Sequence, residues 1–127
     1  MSEHDPTVYL RHMLDAAQTA IRHSAGRQRA DLDTDELYAL AMARLVSIVG
    51  EAAAQTSPEI RAQLPRPPWH QIVATRHRLI HAYAHVNNDI LWAILSGDVP
   101  AVARELAAYL PPMDKTDPAD RADADGG

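Results

Sequence analysis

The chain has 127 residues, no cysteine and a formal net charge of −5. That length suits one domain with a core of its own, and the missing cysteines exclude disulfides and thiolate ligands, leaving a reducing cytosol as the expected compartment. The start "MSEHDPTVYL" lacks the apolar run of a signal peptide, and no apolar stretch is read as reaching the roughly 20 residues of a membrane span, so a cytoplasmic protein with no membrane partner is expected.

Strand signals are nearly absent. There is no phenylalanine, alternating β-branched runs are few, and Ala, Leu and Arg abound, all good helix formers. A first helix is expected from about Thr7 to Ser24, started by Asp5-Pro6-Thr7, with Leu10, Met13, Leu14, Ala17 and Ile21 on its apolar face. A second begins near Thr34, with Asp35 and Glu36 at the positive end of its dipole. Its apolar stripe is Leu37, Leu40, Ala41, Leu45, Ile48 and Ala52, and it ends near Gln55. Ser57-Pro58 reads as an N-cap followed by proline at the first helical position, opening a short helix that stops before "PRPP". Pro68 starts the next helix, which runs to a bend at Asn87-Asn88. Asp89 to Leu95 is helical, Ser96-Gly97-Asp98 breaks it, and Val99 to Leu110 is the last helix. The remainder, residues 113–127, holds five aspartates against Lys115 and Arg121 with almost no apolar content, and reads as a disordered acidic tail. The expected architecture is all-α: an up-and-down bundle of four to five helices over residues 1–112, followed by that tail.

The charge is uneven. Asp31, Asp33, Asp35 and Glu36 cluster in one short segment, whereas no acidic residue occurs from Ile60 to Asn88. That window holds Arg61, Arg66, Arg76, Arg78 and four histidines. For a polyanionic partner the local field matters more than the net sum.

Within the window lies "RHRLIHAY", residues 76–83. On a helical wheel at about 100° per residue, Ile72, Val73, Leu79, Ile80 and Tyr83 share a face with Arg76 at its centre. A lone arginine there must be paired or stay wet. It can be structural, snorkelling outward or bridging internally. His70, His77, His81 and His85 gather on the other side of the wheel, and i, i+4 histidines can share a metal, but neither cysteine nor carboxylate is near in sequence to complete the shell. A third reading joins the two charges. Histidine titrates near neutrality and can move a ribose 2′-hydroxyl proton, while arginine presents a planar fork to phosphate. Together, in an acid-free window, they suit metal-independent RNA cleavage with no cofactor. Arg76 and His81 stand about 140° apart on a regular helix, so this reading needs a long reach, a distorted helix or a symmetric dimer that pools two sets.

The spacing Arg76, His81, Tyr83 resembles the R-x4-H-x-Y signature of HepT-type toxins of the HEPN (higher eukaryotes and prokaryotes nucleotide-binding) superfamily. "PPWHQIVATRHRLIHAYAHVNNDILWAI" is similar to that family's Trp-led helix, motif and following segment, with Trp69, Asp89 and Trp92 in order, and "IVGEAA" with Gly50-Glu51 to its second-helix signature. The likeness covers nearly all of residues 7–110. It implies a small HEPN-like helical bundle that forms a homodimer with both motifs at one cleft, acting on RNA as a toxin. It also implies a partner antitoxin, a minimal nucleotidyltransferase of MntA type, that neutralises the toxin by AMP transfer to Tyr83. Arg76 is then the phosphate and transition-state group and His81 the acid/base. His77 stands where the family most often has Asn, with Asp and His also occurring there, and Glu51 is expected to orient Arg76. Trp92, Ile94 and the histidine face are the expected sticky surface for dimerisation. The alternative from the same superfamily is a non-catalytic module that binds a nucleotidyltransferase or a nucleotide.

Overall fold

The computed structural model describes residues 6–81 and 85–111, the side chains of Arg76, Ile80, His81 and His85 excepted. Tyr83 and the expected tail at 113–127 lie outside these residues. The chain is all-α in class. Helix α1 spans Val8–Ser24, α2 Asp31–Thr34, α3 Glu36–Gln55, α4 Pro58–Gln63, α5 Trp69–Val73 and α6 Thr75–Leu79. Two-residue strands β1 (Ile80–His81) and β2 (His85–Val86) follow, then α7 (Asn88–Ala93), a π-turn (Ile94–Asp98) and α8 (Val99–Tyr109).

Polar ties fix how the long helices run. Ser24 Oγ and Tyr38 OH stand 2.7 Å apart, joining the end of α1 to the start of α3. Arg11 Nη2 donates to the Pro111 carbonyl at 2.8 Å, joining the start of α1 to the exit of α8. Helix α1 is therefore antiparallel to both. Leu10, Met13, Met42, Leu91 and Leu106 are almost fully buried between them, each burial contributing roughly 1.5–3 kcal/mol.

Helix α3 starts close to Thr34, as expected: Asp35 is its cap, and its Oδ1 accepts the Tyr38 amide at 3.1 Å. Ser57 caps α4 as expected, its Oγ accepting the Ile60 amide at 3.2 Å. The expected apolar stripe of α3 is corrected. Leu37 is 78 % and Leu40 60 % exposed, while Tyr38, Met42, Val46, Val49 and Ala53 face the core. Helix α3 is apolar nearly all round, so two stripes compete and periodicity alone cannot choose between them. By length and composition it is apolar enough to cross a membrane, contrary to the reading above, with 39 % of its most apolar window buried. It packs on α1, α5 and α6.

The long helix expected from Pro68 to Asn87 does not form. Ala74 interrupts it after α5, and α6 ends at Leu79. Val73, Thr75 and Ile80 are β-branched and hold a helix poorly, and the Leu79 carbonyl accepts the Asn87 amide at 2.9 Å. Conversely, the expected break at Ser96-Gly97-Asp98 is absent. The backbone stays helical from Asn88 to Tyr109 through the π-turn. Pro100 supplies the reason: it has no amide for the Ser96 carbonyl and its ring crowds that oxygen, a conflict the wider turn relieves. Ile94, expected at the surface, is 2 % exposed and belongs to the core.

Candidate functional site

Gly50 positions the segment that carries Arg76. A Cβ at Gly50 would stand 3.0 Å from the Ile72 carbonyl oxygen and 3.2 Å from Thr75 Cβ. With no side chain there, α5 and the start of α6 lie directly on α3, and Thr75 is buried to 2 % exposure. Arg76 is the next residue, so its backbone is set by this seam. Glu51 is the neighbour of Gly50 and is exposed on α3. It lines a cleft of about 360 Å³ with Tyr9, His12, Ile48, Ala52 and Gln55.

Arg78 anchors the far end of α6. Its Nη1 lies 2.9 Å from Asp98 Oδ2, and both side chains are largely covered. The pair ties α6 to the π-turn immediately before the chain leaves the helix. The antiparallel ladder then pairs Ile80 with Val86 and His81 with His85. His70 and His77 are exposed on α5 and α6, and the backbones of His81 and His85 belong to two strands. The four histidines therefore do not share one helical face, and among the described residues no three His, Cys, Asp or Glu side chains group as metal ligands.

The exit of the hairpin is held by a second polar cluster, which the sequence reading missed. Asn87 caps α7, its Oδ1 accepting the Ile90 amide at 3.0 Å. Asn88 Nδ2 donates to Asp33 Oδ1 at 3.1 Å. Arg29 bridges Asp33 Oδ2 at 3.0 Å and Asp89 Oδ1 at 2.8 Å. The hydrogen bonds to Asp89 and then Asp33 raise the Arg29 pKa above its ordinary value. Asn88 first, then Arg29, hold the Asp33 carboxyl below its own. Arg29 and Asp33 are an i, i+4 pair visible in sequence, whereas Asp89 is sixty positions from Arg29.

The acid-free window does not form one uniform cationic face. Arg61 Nη2 donates to the Ala53 carbonyl at 2.8 Å, at the negative end of α3, and its guanidinium lies 5.7 Å from the Trp69 ring centre. Trp69 Nε1 in turn donates to the Leu64 carbonyl at 2.7 Å. Arg78 is committed to Asp98. Arg66 is 81 % exposed, 3.8 Å from Glu105.

An all-α bundle whose helix ends inside an R-x4-H segment, just after a seam on Gly50 of a long neighbouring helix, fits a HEPN-like domain. The chain belongs to the Ribonuclease HepT-like family, whose profile matches residues 13–109. It is 28 % identical over 106 residues to a protein of Methanocaldococcus jannaschii named as an inferred RNase, covering 84 % of this chain and 97 % of that one. It is 30 % identical over 105 residues to another such protein from Caldanaerobacter subterraneus subsp. tengcongensis, covering 83 % and 94 %. A protein of Thermococcus cleftensis named as an inferred ribonuclease HepT is 31 % identical over 72 residues, covering 57 % and 66 %. No solved structure matches the chain at a significant level.

Proposed function

We propose that the protein is a metal-independent endoribonuclease, the toxin of a two-component system, acting in the cytoplasm as a homodimer. The observation that carries the reading is the end of α6 at Leu79, between Arg76 and His81. A continuous helix would hold the two residues on divergent sides; a chain that turns into a hairpin between them is free of that constraint. Family membership supports RNA as substrate.

In this reading the Arg76 guanidinium binds the scissile phosphate and the charge that grows on it. The His81 imidazole takes the proton of the 2′-hydroxyl as that oxygen bonds to phosphorus. The bond to the 5′-oxygen breaks and that oxygen takes a proton, leaving a 2′,3′-cyclic phosphate and a 5′-hydroxyl. Glu51 orients Arg76, and His77 supports the site from the same short helix. The partner is an MntA-type nucleotidyltransferase. The Tyr83 hydroxyl attacks the α-phosphorus of ATP, pyrophosphate leaves, and the added AMP competes with RNA for Arg76.

Purified protein incubated with RNA in EDTA tests the core of this reading. Cleavage that survives chelation and disappears in both His81→Ala and Arg76→Ala is the expected result. RNA left intact by the folded wild-type protein would assign it instead to binding a nucleotidyltransferase or nucleotide.

A further inference from the structure

In the proposed cleavage the 5′-oxygen takes a proton from a donor that is neither Arg76 nor His81. The guanidinium stays charged throughout, and the imidazole acts as the base. The seam on Gly50 narrows where that donor stands. A Cβ on Gly50 would lie 3.2 Å from Thr75 Cβ. Arg76 follows Thr75 and Glu51 follows Gly50, so the two stand one position beyond the same contact.

Glu51 also lines the cleft of about 360 Å³ whose other wall carries Tyr9 and His12 of α1. A second cleft of about 300 Å³ continues between the same two helices, and the two clefts have His12 and Ile48 in common. His12 thus stands midway along one groove, exposed to whatever enters it. Tyr9, one turn earlier, meets the imidazole edge to face, with ring centres 6.2 Å apart and planes at 85°. The charged groups facing His12 are Glu51 from α3 and Asp15 from its own helix.

We propose, resting on the ribonuclease reading above and on Glu51 orienting Arg76, that His12 is the general acid of the cleavage. With the phosphate on Arg76, the nucleoside 3′ to the cut enters the groove and its 5′-oxygen comes to His12. His81 takes the 2′-hydroxyl proton as the 2′-oxygen bonds to phosphorus. The bond from phosphorus to the 5′-oxygen breaks, and the His12 imidazolium gives its proton to that oxygen. The 2′,3′-cyclic phosphate and the 5′-hydroxyl result. His81 is left protonated and His12 neutral, and exchange with water resets both. Histidine suits either role because its ordinary pKa lies near neutrality.

RNA with sulfur in place of the 5′-oxygen, at the bond the wild type cuts, tests this. A thiol has an ordinary pKa of about 8.5 and leaves as the thiolate, so its departure needs no acid. His12→Gln slows cleavage of ordinary RNA by about 10²- to 10⁴-fold. It cuts the sulfur-bearing RNA at nearly the wild-type rate. Rates are compared per folded molecule, by circular dichroism. A variant slow on both RNAs overturns the proposal and assigns His12 to binding or packing. So does one that cuts ordinary RNA as the wild type does, which leaves the proton to another donor. Ordinary RNA left intact by the folded wild type overturns the ribonuclease reading itself, and the role of His12 with it.

Discussion

Gly50 and Ile72 meet across the α3–α5 seam with less space than a methyl group ordinarily takes: a Cβ on Gly50 would be 3.0 Å from the Ile72 carbonyl oxygen. The nearest atom is backbone, so relief requires the chain from Ile72 to Thr75 to give by a few tenths of an ångström.

Gly50→Ala should therefore destabilise the fold despite the better helix propensity of alanine. Overpacking costs about 1–3 kcal/mol, against a gain of up to about 1 kcal/mol from propensity. RNA cleavage should fall further than the folded fraction, since the backbone that must give ends one residue before Arg76. Gly97→Ala is the control. It meets nothing within 4 Å and should be neutral or slightly stabilising in urea denaturation. Equal behaviour of the two variants would remove the seam from the account.

Arg78→Ala should lower stability by about 1.5–3 kcal/mol, the range for a hydrogen bond to a charged group, because it leaves the mostly covered Asp98 carboxylate without its partner. Arg78→Ala/Asp98→Ala should recover part of that loss. Chemical denaturation of the two singles and the double gives the coupling energy; additive losses would show that the pair does not act as a unit.

The Arg29–Asp33–Asp89 cluster gives the start of α7 a dependence on acid. The Asp33 pKa is lowered in the folded chain, so its contribution is complete above the ordinary carboxylate value of about 3.9. That contribution is lost as pH falls through the lower folded value. Arg29, with its pKa raised, stays charged throughout and adds no slope. The Ile90 amide signal in NMR should shift in acid as the Asn88 and Arg29 contacts to Asp33 weaken, and Asp33→Asn should abolish that shift. An acid shift that persists unchanged in Asp33→Asn would place the titrating group elsewhere.

Tyr83→Phe should cleave RNA at close to the wild-type rate, because the hydroxyl has no part in the proposed chemistry, yet escape neutralisation by the nucleotidyltransferase. Mass spectrometry after co-expression should find AMP on Tyr83 and none on the phenylalanine variant. Loss of cleavage in a folded Tyr83→Phe protein would move Tyr83 into the catalytic set.

What was legible in the sequence was what short-range chemistry controls. The extent of α1, the Ser57-Pro58 start of α4 and the all-α class follow from caps, propensities and period. Two errors share one cause. The period places Leu37 and Leu40 on the stripe of α3, but Tyr38, Met42 and Val46 fit it as well, and only contact with α1 and α5 decides. Wheel geometry carries the helix through "RHRLIHAY" past Leu79 because it cannot register a carbonyl that bonds to Asn87. The candidate residues themselves stood out by type and spacing. Their supports did not: Arg29 meets Asp89, and Arg78 meets Asp98, across separations that no local pattern encodes.

The indole of Trp69 closes the stretch from Leu64 to Pro68 by bonding to the Leu64 carbonyl, and three of the residues it encloses are prolines. Their ring-locked φ angles leave this stretch few conformations to lose when the chain folds. The entry to α5 is therefore ordered at small entropic cost, well below the roughly 1–2 kcal/mol an ordinary residue surrenders. Replacing the exposed Pro65 with alanine should weaken the protein chiefly through its unfolded state.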